Sequence, residues 1–211
     1  MFQDLRIMQK NPYPGKFIVL EGLDGSGQST QAALLADFLI KKGYNVVLTK
    51  EPTLEFEAGE KIRKVLNKEL EMNKKELQEL FAQDRKEHLE NTIIPALKEG
   101  KTVISDRYFF STFAYGVSDG LDLEWLIEIN NGFLYPDLTF LLKVNPQICM
   151  ERIISRGKKI AIFEKKEKLA NVWETYKILP QRFKDIYIID GEKSIENVFA
   201  FIKKIIENLK L

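Results

Sequence analysis

Residues Gly22 to Ser29 read Gly-Leu-Asp-Gly-Ser-Gly-Gln-Ser. This is the spacing of a phosphate-binding loop, Gly-x-x-x-x-Gly-Lys-Ser/Thr, with Gln28 in the lysine position. Backbone N–H groups of such a loop, with the start of the helix that follows, hold an anion. Those donors do not depend on the side chain at position 28. Gly22, Leu23, Asp24, Gly25, Ser26, Gly27, Gln28, Ser29 and Thr30 are therefore candidates for the phosphates of a nucleotide. What Gln28 removes is the point charge that reaches the β- and γ-phosphates, because an amide donates hydrogen bonds without charge. Ser29 has the position of a hydroxyl that ligates Mg²⁺. The competing reading is a tight, glycine-rich connection between a strand and a helix.

A second group lies downstream. Asp106 ends an apolar, β-rich run, Lys-Thr-Val-Ile-Ser-Asp-Arg. The carboxyl end of a strand in an open α/β sheet faces the ligand crevice. An aspartate there can orient the waters of Mg²⁺ or accept a proton, and Arg107 can set its fork on a phosphate. The alternative is a surface Asp–Arg pair. Phe81 and Arg85 are four apart and share a helical face. They form either a stacking ring plus a donor for a nucleobase, or a core Phe beside a solvated Arg.

These groups need elements to position them. Lys-Phe-Ile-Val-Leu-Glu-Gly, residues 16–22, has the apolar run of a strand buried on both faces. The loop follows, then a helical spacing that closes at Gly43. A second strand stops at Pro52, a charged helical tract runs to about residue 99, and a third strand follows at 101–107. Asp-Leu-Thr-Phe-Leu-Leu-Lys-Val and Asp-Ile-Tyr-Ile-Ile-Asp read as the fourth and fifth strands. Strands alternating with helices predict an α/β fold, a five-stranded parallel sheet with helices on both faces. Residues 1–15 read as a turn-rich leader and 16–211 as a single domain.

Bulk properties narrow the function. Hydrophobic residues at 45% and charged residues at 30% are an ordinary globular mix. A net charge of +1 gives no support to nucleic-acid or membrane binding. The lone Cys149 excludes an internal disulfide framework and fits a reducing compartment. With no signal-peptide pattern and no apolar run long enough to span a bilayer, the expectation is a cytoplasmic protein. His88, the sole histidine, falls on an exposed-looking helix without a metal-ligating cluster, and Cys149, Trp125 and Trp173 read as packing residues.

Taken together, Glu21–Thr30, the Lys50-Glu-Pro-Thr turn, Phe81-x-x-Asp-Arg85 and the Asp106-Arg-Tyr–x₂–Ser–x₂–Ala-Tyr115 series resemble the thymidylate kinases. The resemblance runs from Lys16 to the C-terminus and implies a P-loop fold with a short lid at about 156–166. It implies transfer of the γ-phosphoryl group of ATP to dTMP, giving dTDP and ADP, with Mg²⁺, in a homodimer. By resemblance, Phe81 stacks on thymine, Arg85 bonds the base and Ser111 helps read it. Arg107 holds the acceptor phosphate with Lys50 near it, Asp24 approaches the sugar 3′-hydroxyl, and Tyr115 packs under the deoxyribose. Ser29 and Asp106 are the metal-site residues. The alternatives are a non-catalytic dTMP-binding relative and a kinase for another deoxypyrimidine monophosphate.

The chain departs from the family pattern in three places. One is Gln28. Another is the lid, where Ala161-Ile162-Phe163-Glu164 replaces Asp-Arg-Phe-Glu and leaves Arg156, Lys158 and Lys159 as the nearby cations. The third is Lys143, in place of a common acidic residue. In the family's sheet the fourth strand adjoins the first, so Lys143 either supplies the missing ammonium or snorkels to the surface. Arg152 adds positive charge on the next helix.

Overall fold

A computed structural model of the protein describes residues 8–155 and 162–209. The chain runs β1 (Gln9–Lys10), β2 (Lys16–Gly22), α1 (Gln28–Lys41), β3 (Val46–Lys50), α2 (Glu57–Leu66) and α3 (Lys74–His88). A π-helical turn, Leu89–Ile93, leads into α4 (Ile94–Lys98), β4 (Thr102–Asp106), α5 (Phe109–Ser118) and α6 (Leu123–Glu128). Then come β5 (Leu134–Tyr135), β6 (Leu138–Lys143), α7 (Pro146–Ser155), α8 (Ile162–Arg182), β7 (Ile186–Asp190) and α9 (Ile195–Asn208).

The main sheet is parallel with the order β3-β4-β2-β6-β7. The strand carrying the phosphate loop is thus central, flanked by the strands that end in Asp106 and Lys143. This explains the unbroken apolar run of β2: Phe17 and Val19 enter the core on one face, Ile18 and Leu20 that on the other. Helices α1 and α9 cover the second face through Ala32, Leu35, Val198 and Ile202. The first face carries the larger core, rich in aromatic rings from α5 and α8.

The charged tract between the second and third strands is several helices. Asn73 caps α3 by accepting from the Glu76 N–H at 2.9 Å. Within the stretch read as a leader, β1 pairs with β5, and Asn11 reaches Asp137 at 2.6 Å. The lid region at about 156–166 falls largely outside the described residues, as do Arg156, Lys158 and Lys159.

Candidate active site

The loop from Gly22 to Thr30 joins β2 to α1, as its spacing predicts. Gly27, at φ 100°, takes a left-handed conformation as the helix N-cap, and among the described residues no side chain caps that end. Gly25, at φ 86°, passes so close to α7 that a Cβ would lie 2.6 Å from the Cys149 carbonyl oxygen. The first backbone N–H groups of α1 are left for an anion. Gln28 is buried and folds back to touch Ser26 Oγ.

Ser29 and Asp106 meet at the top of the sheet, with Ser29 Oγ donating to Oδ2 at 2.5 Å. The other carboxylate oxygen, Oδ1, is buried without a partner among the described residues. Lys50 is in register with Asp106 and lines the same open cleft, together with Glu55.

Arg107 sits just past β4 with φ 75°, a conformation that costs an arginine energy and occurs where the surroundings impose it. Its Nη1 donates to Gly22 O at 3.1 Å and Ser111 Oγ at 2.9 Å, and Nη2 to Asp24 Oδ1 at 2.8 Å. Tyr115 lies under the guanidinium at 5.4 Å and accepts from the Asp24 N–H at 3.0 Å. Behind this layer is Glu21, fully buried. Its carboxylate accepts from the backbone N–H groups of Tyr108 (2.9 Å) and Ser111 (3.2 Å), and from the hydroxyls of Ser111 (2.5 Å) and Tyr176 (2.9 Å). Burial pushes its carboxyl up to about 7, against the pull of Arg107 and these donors.

Beside Arg107 opens a cavity of about 200 Å³, lined by Phe81, Arg85, Tyr108, Thr112, Tyr115 and others. Arg85, far from being solvated, is 1% exposed. Its Nε and Nη2 bond Glu51 at 2.9 and 2.8 Å, Nη2 also bonds Thr112 at 3.0 Å, and Nη1 bonds Asn130. Each of the three guanidinium nitrogens thus donates one hydrogen bond, with the Nη2–Glu51 contact as an ion pair, and Nη1 has no second partner among the described residues. His88, expected at the surface, is buried instead, between Glu51 Oε1 (3.2 Å) and Thr49 Oγ1 (2.7 Å). The polar helix carrying it turns that face inward because Glu51 needs partners there.

The structure thus gathers Asp24, Phe81, Arg85, Arg107, Ser111 and Tyr115 around one cavity. Ser111 faces the Arg107 end, while Thr112 supplies the hydroxyl beside Arg85. Lys50 is exposed on the neighbouring cleft instead. Glu21, Glu51, Thr112, Asn130 and Tyr176 were not found from sequence. Glu21 directly precedes Gly22 and Glu51 directly follows Lys50, the only local signals for them. Lys143 closes β6 beside β2 as expected, but its side chain is exposed and makes no hydrogen bond or ion pair to the loop among the described residues. Arg152 does touch the loop, donating to Ser26 O at 3.2 Å and to Gly191 O at 3.1 Å. A second cavity of about 360 Å³ lies there, between Gly27, Thr30, Arg152 and Lys193. Among the described residues no helix is long and apolar enough to cross a membrane.

Comparison with known proteins places the chain in a family. A family model for thymidylate kinase matches residues 20–202. A probable thymidylate kinase of Thermococcus onnurineus is 43% identical over 200 residues, 91% of this chain and 97% of that protein. One from Pyrococcus horikoshii is 41% identical, covering 92% and 97%. A thymidylate kinase of Caldicellulosiruptor saccharolyticus is 38% identical, covering 92% and 97%.

Proposed function

The chain belongs to the thymidylate kinase family, and we propose that it transfers the γ-phosphoryl group of ATP to dTMP, releasing dTDP and ADP. The observation that carries this reading is the single cavity holding a base-sized apolar wall with Arg85 beside it and Arg107 against the phosphate loop. Phe81 provides the wall, and the free Nη1 donor of Arg85 meets a base carbonyl. Arg107 receives the acceptor phosphate, and Tyr115 with Asp24 closes over the sugar.

The donor nucleotide is assigned to the loop. Its triphosphate lies on the N–H groups at the start of α1, and its base reaches toward the cavity between Thr30, Arg152 and Lys193. An oxygen of the acceptor phosphate then attacks the γ-phosphorus, the bond to the β-bridging oxygen breaks, and ADP leaves. The residues contribute by positioning and charge: Arg107 holds the nucleophile, and Arg152 adds a cation beside Ser26. Lys143 and Arg156 are kept as further candidate cations near the transferred group.

Mg²⁺ fits Ser29 and Asp106. The pair offers hard oxygen ligands, and Asp106 Oδ1 is buried without a partner. Among the described residues no cluster of three or more His, Cys, Asp or Glu forms a cage of its own, as suits an ion that keeps waters and phosphate oxygens. When bound, the ion neutralises charge on the donor phosphates. Assembly as a homodimer accompanies this reading and is checked by light scattering.

Turnover with ATP, Mg²⁺ and a panel of monophosphates tests the proposal. dTMP is expected to exceed dUMP, dCMP, dGMP and AMP in kcat/KM. Binding of dTMP without turnover would replace the kinase by a nucleotide-binding protein, and a preference for another pyrimidine would reassign the acceptor.

A further inference from the structure

Gln28, the residue that breaks the loop pattern, is 5% exposed and lies between the loop and Arg107. Its amide orientation follows from its neighbours. The nitrogen donates to Leu23 O at 3.0 Å and to Ser26 Oγ, and the oxygen accepts from Arg107 Nη2 at 2.5 Å and Nε at 3.0 Å. The reverse orientation faces carbonyl oxygen with oxygen and guanidinium with N–H.

With Gly22, Ser111 and Asp24 on the other donors, all five N–H groups of Arg107 are occupied by the protein. The edge that Gln28 takes, Nε with Nη2, is one that an arginine offers bidentately to a phosphate. A lysine at this position would set an ammonium against the guanidinium. The amide instead turns its negative end to it.

We propose that Gln28 is a positioning residue that stands in for the acceptor phosphate on Arg107 and yields that edge when the phosphate binds. A phosphate dianion outcompetes a neutral carbonyl for a half-buried guanidinium, whereas it does not gain by displacing the Asp24 carboxylate. The displaced amide is then released beside the donor-phosphate loop, where its N–H groups face the donor's oxygens. Arrival of the acceptor thereby frees a donor group for ATP, so the two ligands favour each other's binding. The inference rests on the dTMP kinase reading for the identity of the acceptor.

Calorimetry on the whole protein with dTMP, thymidine and inorganic phosphate tests it. Gln28→Ala removes the stand-in and should tighten dTMP by roughly tenfold, the worth of one hydrogen bond to a charged group. Gln28→Glu makes the stand-in anionic and should weaken dTMP by at least as much. Thymidine, lacking the phosphate, should bind all three proteins alike. Both variants weakening dTMP, or thymidine moving in parallel with it, would overturn the inference and leave Gln28 as loop packing. Inorganic phosphate needs no base site and separates the two claims. If Gln28→Ala binds it more tightly while dTMP fails to bind, the acceptor assignment fails and the stand-in role survives. If phosphate affinity is the same in wild type and Gln28→Ala, the stand-in role fails even with dTMP kinase activity intact.

Discussion

The hydroxyl of Ser29 donates to Oδ2 of Asp106 across 2.5 Å, tying the first turn of α1 to the end of β4. The two residues are far apart in sequence, and only the pairing of β2 with β4 brings them together. Asp106→Asn keeps the shape but removes the charge that a divalent cation needs. It should lower kcat by roughly 10³, in the range found for loss of one preorganised electrostatic contact. The affinity for dTMP should hardly change. Rates measured across a Mg²⁺ titration decide this, and a wild-type Mg²⁺ response in the variant removes Asp106 from the metal site.

Arg107 lies where the cavity meets the phosphate loop, bonded to Gly22, Asp24 and Ser111, and in the proposed reading it contacts only the phosphate of dTMP. Arg107→Ala should therefore weaken dTMP by roughly 10² while thymidine binding falls much less, since loss of a hydrogen-bonded charge pair typically costs a few kcal/mol. Equal losses for both ligands would make Arg107 structural. Its φ of 75° would then be a strain with no binding role.

Glu21 gives a pH dependence whose sign is fixed. Burial raises its carboxyl from 4.5 to about 7, so the folded chain holds the proton more tightly than the unfolded one. This contribution to stability is fully present below about 4.5 and is lost as pH rises through about 7. Melting temperatures from pH 5 to 8 should decline in the wild type and flatten in Glu21→Gln, which keeps the hydrogen-bonding shape. A parallel slope in both proteins would show that another group is responsible.

Gln78 lines the base-side cavity at 2% exposure, and its Oε1 has no hydrogen-bond partner among the described residues. An unpaired buried carbonyl costs about 1–3 kcal/mol. Gln78→Leu should raise Tm by several degrees, at roughly 2–4 °C per kcal/mol for a domain of this size. Scanning calorimetry of the ligand-free protein reads the shift, and an unchanged or lower Tm means that the carbonyl is paired in solution.

Among the described residues, Arg152 and Lys143 are the candidates for the role that the loop lysine has elsewhere. Arg152 touches the loop carbonyl of Ser26, whereas Lys143 points to solvent at the end of β6. Arg152→Ala should lower kcat/KM for ATP by roughly 10-fold or more, and Lys143→Ala by less than 3-fold, following the usual weakness of exposed charges. The reverse order would restore Lys143 as the relocated ammonium.

Much of the scaffold was legible because the signals are local. A doubly buried strand, a glycine-rich turn and an amphipathic helix leave periodicities within a few residues of each other, so the β2–loop–α1 unit and the strand ending at Asp106 could be read directly. The parallel sheet followed from alternation alone, while the pairing of Phe81 and Arg85 on one helical face, now seen lining one cavity, came from their spacing. Nothing local marks Tyr176, whose hydroxyl reaches Glu21 from 155 residues away, or Asn130 against Arg85. His88 was misplaced because a helix with mostly polar residues looks exposed until the Glu51 it serves is seen beside it.

The sequence by itself determined which groups carry charge and which can hydrogen-bond: a loop of backbone donors without its lysine, two arginines, and a carboxylate at a strand end. The tertiary structure decided where those groups point. Gln28 reads in the sequence as a missing cation. In the fold it turns its carbonyl to Arg107, because half-buried guanidinium donors need partners and that amide oxygen sits within reach of Nε and Nη2. Such pairing depends on directions set by the order of strands in the sheet, which no spacing along the chain encodes.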